Sequence, residues 1–257
     1  MAAPAVENRI YTAIGLDFET GGLDPVRCAC TQIALEAIRL DTLEVFDRYA
    51  AYIAQYCKQE LGAARRKVLR SKHELAQPTE RMDYEPRALE YSGITMERLE
   101  AQGVDLKEVA GAVLRFAERA TLSKGTQCKP VLIGQNITFD IGFLTQLMSY
   151  AGLTKEYEKT FAGKTDFYGN FQPLYLDTIL LARLALAADT GVTSYKLELV
   201  AERLGIELDD AHDAGADVAA TLEIVRVCAA RMRNSEGAVT ETAPKEKTRN
   251  HFLILEI

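Results

Sequence analysis

The succession of elements legible in the sequence predicts an α/β fold, a mixed five-stranded sheet flanked by helices. Three observations predict it. Residues 10–52 fall into three strand-like runs separated by turn signals. From Val109 onward apolar residues recur at helical spacing. Short apolar runs at Pro130–Gly134 and Pro173–Leu176 interrupt the helices as buried strands do.

Taken in order, the first runs are Ile10–Glu19, Thr31–Leu40 and Leu43–Tyr52, parted by Gly21-Gly22-Leu23-Asp24-Pro25 and by Asp41-Thr42. Tight turns between successive strands predict an antiparallel meander. Residues 57–85 read as an insertion containing a helix, and Arg65-Arg66-Lys67 with Arg70 and Lys72 makes it the most basic part of the chain. Val109, Ala112, Val113, Phe116, Ala117 and Ala120 then mark one helical face, and Asp140, Phe143, Leu144, Leu147, Met148 and Ala151 another. Residues 155–172 show no period and read as a second, surface insertion. Helices are predicted over 177–188, 196–204 and 213–232. One domain over residues 1–233 and a flexible polar tail over 234–257, ending in the apolar His251–Ile257, complete the reading.

The chain has 257 residues, 48% of them hydrophobic and 26% charged, an ordinary globular composition able to bury a core. Lys and Arg total 30 and Asp and Glu 37, a net charge of −7, which argues against a protein that coats nucleic acid by charge alone. Five cysteines, none in a C-x-x-C pair with a nearby histidine, suggest neither a disulfide framework nor a zinc site. With no secretory signal and no long apolar run, the expectation is a soluble, cytoplasmic protein without membrane contact.

Alternate residues of a strand share a face, so Asp17 and Glu19 point the same way while Ile14, Leu16 and Phe18 face a core. Two like carboxylates at this spacing repel each other unless a cation sits between them; the alternative is a frayed strand end with solvated acids. Asp140 lies in the apolar stripe of its helix, where a lone charge is costly, though capping of its own helix is a competing account. In Ala211-His212-Asp213-Ala214-Gly215-Ala216-Asp217, Asp213 is placed to cap the last helix and Asp217 shares a face with Ala220, Thr221 and Ile224. His212 stands on the loop before that helix. Four acids and one histidine form a donor set for hard, oxygen-preferring cations.

The order and contexts of these residues resemble the DEDDh, or DnaQ-like, 3′-5′ exonuclease superfamily of ribonuclease H-like fold. Asp17-Phe18-Glu19-Thr20-Gly21-Gly22-Leu23 is similar to its motif D-x-E-T-T-G-L, residues 134–144 to H-N-x-x-F-D-x-x-F-L, and His212–Asp217 to H-x-x-x-x-D. Tyr91-Ser92-Gly93-Ile94-Thr95 resembles the family's H-G-I-T segment. Gly21 departs from the second Thr of the first motif, and Ser92 and Gln135 stand where His is common. The resemblance implies that Asp17, Glu19, Asp140 and Asp217 bind two Mg²⁺ or Mn²⁺ ions, that His212 takes the proton of the attacking water, and that Thr20, Leu23, Asn136, Phe139 and Phe143 contact the terminal nucleotide; for the two phenylalanines core packing is an equal reading. The implied activity is release of nucleoside 5′-monophosphates from DNA 3′ ends, in proofreading or repair. The implied partner is nucleic acid with a free 3′ end, single-stranded or frayed DNA, with RNA left open. An RNA-trimming nuclease of the same fold and a catalytically idle nucleic-acid-binding module are the alternatives. The insertion over Lys58–Lys72 reads either as a phosphate grip or as a solvated face. The apolar C-terminus is a candidate docking strand for this domain or for a partner such as a polymerase.

Overall fold

A computed structural model describes residues 9–59, 80–208 and 213–234. Strands β1 (Thr12–Thr20), β2 (Cys30–Arg39), β3 (Val45–Tyr52), β4 (Val131–Gly134) and β7 (Tyr175–Asp177) form one sheet in the order β3-β2-β1-β4-β7. The first three are the antiparallel meander, and β4 and β7 run parallel to β1. The predicted fold class is the observed one. The edge strand β3 alternates half-buried and exposed residues, as a strand with one wet face does, whereas central β1 is buried almost throughout.

The two faces of β1 serve two cores. Ile14, Leu16 and Phe18 pack with α3 (Leu106–Ala120) and α4 (Thr138–Ala151), around Phe116, Phe143 and Leu147. Ala13 on the other face packs with Ile133 under α6 (Thr178–Ala185), α7 (Leu197–Leu204) and α8 (Ala214–Asn234), through Leu181, Val200, Val218 and Leu222. Between Ala13 and Asp17 on that second face lies Gly15. A Cβ there would stand 2.9 Å from Val218 Cγ1 and 3.2 Å from Leu222 Cδ1, so the absent side chain lets α8 lie directly on the strand.

Several details differ from expectation. Two helices of seven residues, α1 (Pro86–Ser92) and α2 (Met96–Gln102), precede α3. Both are too short to show a period; Pro86 starts the first, and Thr95, accepting from the Arg98 N–H, caps the second. Residues 155–172 lie mostly at the surface but are not without regular structure: they hold α5 (Thr154–Thr160) and a hairpin of β5 (Gly163–Thr165) and β6 (Phe171–Pro173). Tyr157 and Phe161 are buried and stack on each other, and Phe171 packs edge-on to Tyr157 at 5.1 Å. The last strand accordingly pairs at Tyr175–Asp177, two residues later than predicted, because Pro173 belongs to the hairpin.

Most of the basic insertion, the predicted helix in it and the C-terminal tail lie outside the described residues. The ends of the insertion are tied together by the Lys58 N–H to the Glu80 carbonyl, 2.7 Å, and by the Lys58 ammonium to Glu80 and Asp83. Among the described residues no helix is long and apolar enough to cross a membrane.

Candidate metal centre and cleft

β1 delivers Asp17 and Glu19 to its C-terminal end on the face covered by α8, and a register irregularity follows at Glu19/Thr20 as the strand ends. Asp213 fixes the start of α8. Its Oδ1 accepts from the N–H groups of Gly215 (3.0 Å) and Ala216 (3.2 Å), and its Oδ2 from the buried Gln32 side chain at 2.8 Å. Gln32 is the β2 residue paired with Glu19, so the helix start is bound to the sheet beside the site. One turn on, Asp217 meets the strand acids, and one carboxylate oxygen from each of Asp17, Glu19 and Asp217 lies within 4.8 Å of the others.

Asp140 approaches from below. It is 3% exposed, stands in the first turn of α4, and its Oδ1 accepts from the Phe18 N–H at 3.0 Å, between the two strand acids. Helix capping does not account for it, because the N-cap position of α4 is Ile137, with no side-chain cap. Burial holds the Asp17 carboxyl up to about 8, with Asp217 and Asp213 adding repulsion; burial, then Asp17 and Asp217, does the same for Glu19, also to about 8. Asp140 is raised too, by burial and then by Asp17, against the opposing pull of the Phe18 N–H. Three carboxyls in this state, with Asp217 beside them, are short of positive charge, and hard cations are the complement their oxygens fit. His212 lies outside the described residues; Asp213, its neighbour in sequence, is the cap of α8.

These acids floor a cleft of about 1180 Å³. Thr20, Leu23, Asn136 and Phe139 are among the residues that line it. Leu23 stands 82% exposed at the rim, the Thr20 hydroxyl donates to the Gly22 carbonyl, and Asn136 adopts a left-handed φ of 53° with its N–H on Asp177 Oδ1. Phe143 does not reach the cleft: it is fully buried beneath Phe139, ring centroids 5.0 Å apart, and its place in the apolar stripe reflects packing.

The opposite walls hold residues that periodicity did not single out. Tyr91 of α1 faces the acids, its phenol raised by burial and then by Glu198, Asp217 and Glu19. Arg183 of α6 lies 4.9 Å over the ring of Tyr195, and with Arg87 and Lys196 gives the cleft a cationic flank. The departures from the family pattern also acquire reasons. Gln135 ties the cleft wall together, donating to the Tyr195 carbonyl (2.6 Å) and accepting from Thr178 Oγ1 (2.5 Å). The Ser92 hydroxyl turns back onto the carbonyls of Ala88 and Leu89. At Gly21 a Cβ would sit 2.6 Å from the Asp83 carbonyl, because the segment returning from the insertion crosses there and donates the Glu85 N–H to the Gly21 carbonyl.

The family model RNase_T, described as Exonuclease, matches residues 14–225. Among solved structures, one of exonuclease I is 21% identical over 87% of this chain and 42% of its own, with a TM-score of 0.60. E. coli exonuclease I in complex with a dT13 oligonucleotide is 22% identical over 87% of this chain and 41% of its own, TM-score 0.56. A moderately thermophilic exonuclease I from Methylocaldum szegediense gives 22% over 88% and 41%, TM-score 0.56. The likeness is one of fold, and this chain spans about two-fifths of the length of those proteins.

Proposed function

Because the chain belongs to the RNase_T exonuclease family, we propose that it hydrolyses nucleic acid from the 3′ end, releasing nucleoside 5′-monophosphates, with single-stranded or frayed DNA as the substrate. The observation that carries this reading is the cluster of Asp17, Glu19 and Asp217 above the buried Asp140, at the floor of a cleft with cationic and aromatic walls. The family supplies the reaction class, and the dT13 complex of exonuclease I supports a single strand as ligand. We take residues 1–233 as one exonuclease domain.

The four acids are assigned to two divalent cations, Mg²⁺ or Mn²⁺. Such ions, held by Asp17, Glu19, Asp140 and Asp217, would supply Lewis acidity for the attacking water and positive charge against that on the phosphate. The protein's own groups do the rest. Asp140, braced by the Phe18 N–H, and Asp217, on a helix pinned by Asp213 and Gln32, keep their carboxylates turned to the strand acids. His212 accepts the proton of the attacking water, a role suited to an imidazole of ordinary pKa about 6.5. Arg183 and Lys196 pair with phosphates on the 5′ side of the scissile bond, and Tyr91, Leu23 and Phe139 hold the terminal base by stacking and wedging.

An idle module is disfavoured by the site itself, since three desolvated carboxylates crowded beside a fourth are costly to fold without cations. The test is digestion of matched 5′-labelled single-stranded DNA, mismatched primer-template and RNA with Mg²⁺ or Mn²⁺. A ladder shortening one nucleotide at a time from the 3′ end of DNA, absent in EDTA and with His212→Ala, is expected. Internal cuts, or wild-type digestion by the variant, overturn the reading, and preference for the RNA reassigns the substrate.

A further inference from the structure

The parallel strands have a second end, and the cleft does not use it. The acids and Asn136 lie at or just past the C-terminal ends of β1 and β4, whereas the Ile10 N–H before β1 donates to Ser123 Oγ (2.9 Å), and Lys129 leads into β4. At about 3.3 Å per residue, the run of β1 from Thr12 to Glu19 alone separates the two ends by about 23 Å.

At this far end a concavity of about 730 Å³ is lined by Lys124, Lys129 and Lys159 and by several hydroxyls, with Glu118 its one carboxylate. Among the described residues no carboxylate lies within 4.0 Å of these three ammonium groups or of Lys164, although the chain carries an excess of acids. The β5–β6 hairpin springs from the same place, since the Ala162 N–H donates to the Pro130 carbonyl and the Leu174 N–H to the Ala162 carbonyl. Its tip presents Phe167, 97% exposed, and Tyr168, 85% exposed, with ring centroids 5.5 Å apart.

That tip is built, not frayed. The Asp166 carboxylate accepts from the N–H groups of Tyr168 and Asn170, both at 2.9 Å, Gly169 turns the chain at φ +87°, and Phe171 anchors the hairpin on Tyr157. Two bare aromatic rings held out on a braced hairpin that carries Lys164 and springs from beside the lysine-lined concavity match one ligand chemistry well: flat apolar faces alternating with anionic links. Unpaired bases offer such faces and phosphates such links. A protein surface would use the rings without the lysines, and an acidic peptide the lysines without the rings.

We propose that Lys124, Lys129, Lys159 and Lys164 with Phe167 and Tyr168 form a second binding site for single-stranded nucleic acid, remote from the cleft and independent of metal. The site rests on the proposed nuclease reading for its biological sense and extends it: a long strand is held at two places, a short one only at the cleft.

The test is fluorescence anisotropy of labelled oligo-dT of about 4 and about 30 nucleotides in EDTA, the shorter having too few internucleotide links to lie in the cleft and on the hairpin at once. Phe167→Ala/Tyr168→Ala and Lys124→Glu/Lys159→Glu double variants are compared with wild type after melting confirms that they fold. Wild type is expected to bind the 30-mer and each variant to lose about tenfold in that affinity, the lysine variant also losing about 1.4 units of the logarithmic salt slope. With Mg²⁺, kcat on both lengths should stay at the wild-type value while KM rises for the 30-mer alone. Undiminished 30-mer binding by both variants overturns the site, including the case in which the rings serve a protein partner. If wild type binds the 30-mer in EDTA but digests neither oligonucleotide in Mg²⁺, the nuclease reading fails and the binding site stands.

Discussion

Replacing Asp17 by Asn removes a charge that the metal-free fold accommodates badly while keeping the shape of the side chain. The native carboxyl titrates near 8 against an ordinary 3.8. At pH 7.5 the unfolded chain has released this proton and the native chain largely has not, a mismatch of at most about 5 kcal/mol at about 1.36 kcal/mol per pH unit. Asp17 is only half-buried and opens to water on the cleft side, so roughly half of that, on the order of 2 to 3 kcal/mol, is the expected gain for Asp17→Asn. For a domain of this size the gain corresponds to a rise of about 5 to 10 °C in the Tm of the EDTA-treated protein. Wild type should recover a comparable amount, about 2.7 kcal/mol, when Mn²⁺ reaches a hundred times its Kd, and the variant should forfeit most of it along with nuclease activity. Thermal melts with EDTA and with graded Mn²⁺ read both effects. A variant melting below wild type in EDTA, or keeping the full Mn²⁺ response, refutes the reasoning.

The pH dependence of the metal-free protein follows from the same groups. Since the native pKa of Asp17 and of Glu19 is raised, their contribution is fully present below about pH 4 and is lost as pH rises toward 8, so Tm in EDTA should fall across that window and flatten in Asp17→Asn/Glu19→Gln. Gln32→Leu leaves the Asp213 carboxylate without its buried donor, and a loss of about 1 to 2 kcal/mol, together with a several-fold weaker Mn²⁺ midpoint, should appear in melts; Gln32→Glu, lacking the N–H, should not rescue the midpoint. Gly21→Thr, which restores the family residue, should destabilise by about 1 to 3 kcal/mol in urea unfolding because its Cβ meets the Asp83 carbonyl. Phe143→Ala should cost about 3 to 5 kcal/mol of stability with KM for short oligonucleotides unchanged, the signature of packing as opposed to substrate contact.

Much of this site is local enough to be read in a sequence. Strand alternation puts Asp17 and Glu19 on one face, helical period puts Asp140 and Asp217 among apolar neighbours, and each inference needs only a few adjacent residues. What escapes is whatever joins distant positions. Gln32 and Asp213 meet across 181 residues, and neither is remarkable in its own segment. The Arg183–Tyr195 contact depends on the path between α6 and α7, which no period encodes. Period alone also cannot say how deep an apolar position lies: Phe139 and Phe143 share a stripe, yet one reaches the cleft and the other the core. In residues 155–172 a seven-residue helix and three-residue strands are shorter than a repeat needs to declare itself.

The seating of α8 on the bare backbone of Gly15 bears on the order in which the molecule is made. Asp17 emerges in the first tenth of the chain, and Asp217 follows 200 positions later. Until the last helix is translated, the meander can pair and α3 and α4 can cover one of its faces, but the other face is open and the carboxylate trio is incomplete. The carboxylate cluster is therefore completed by the last described helix of the domain, and a chain ending before α8 lacks one of its three acids.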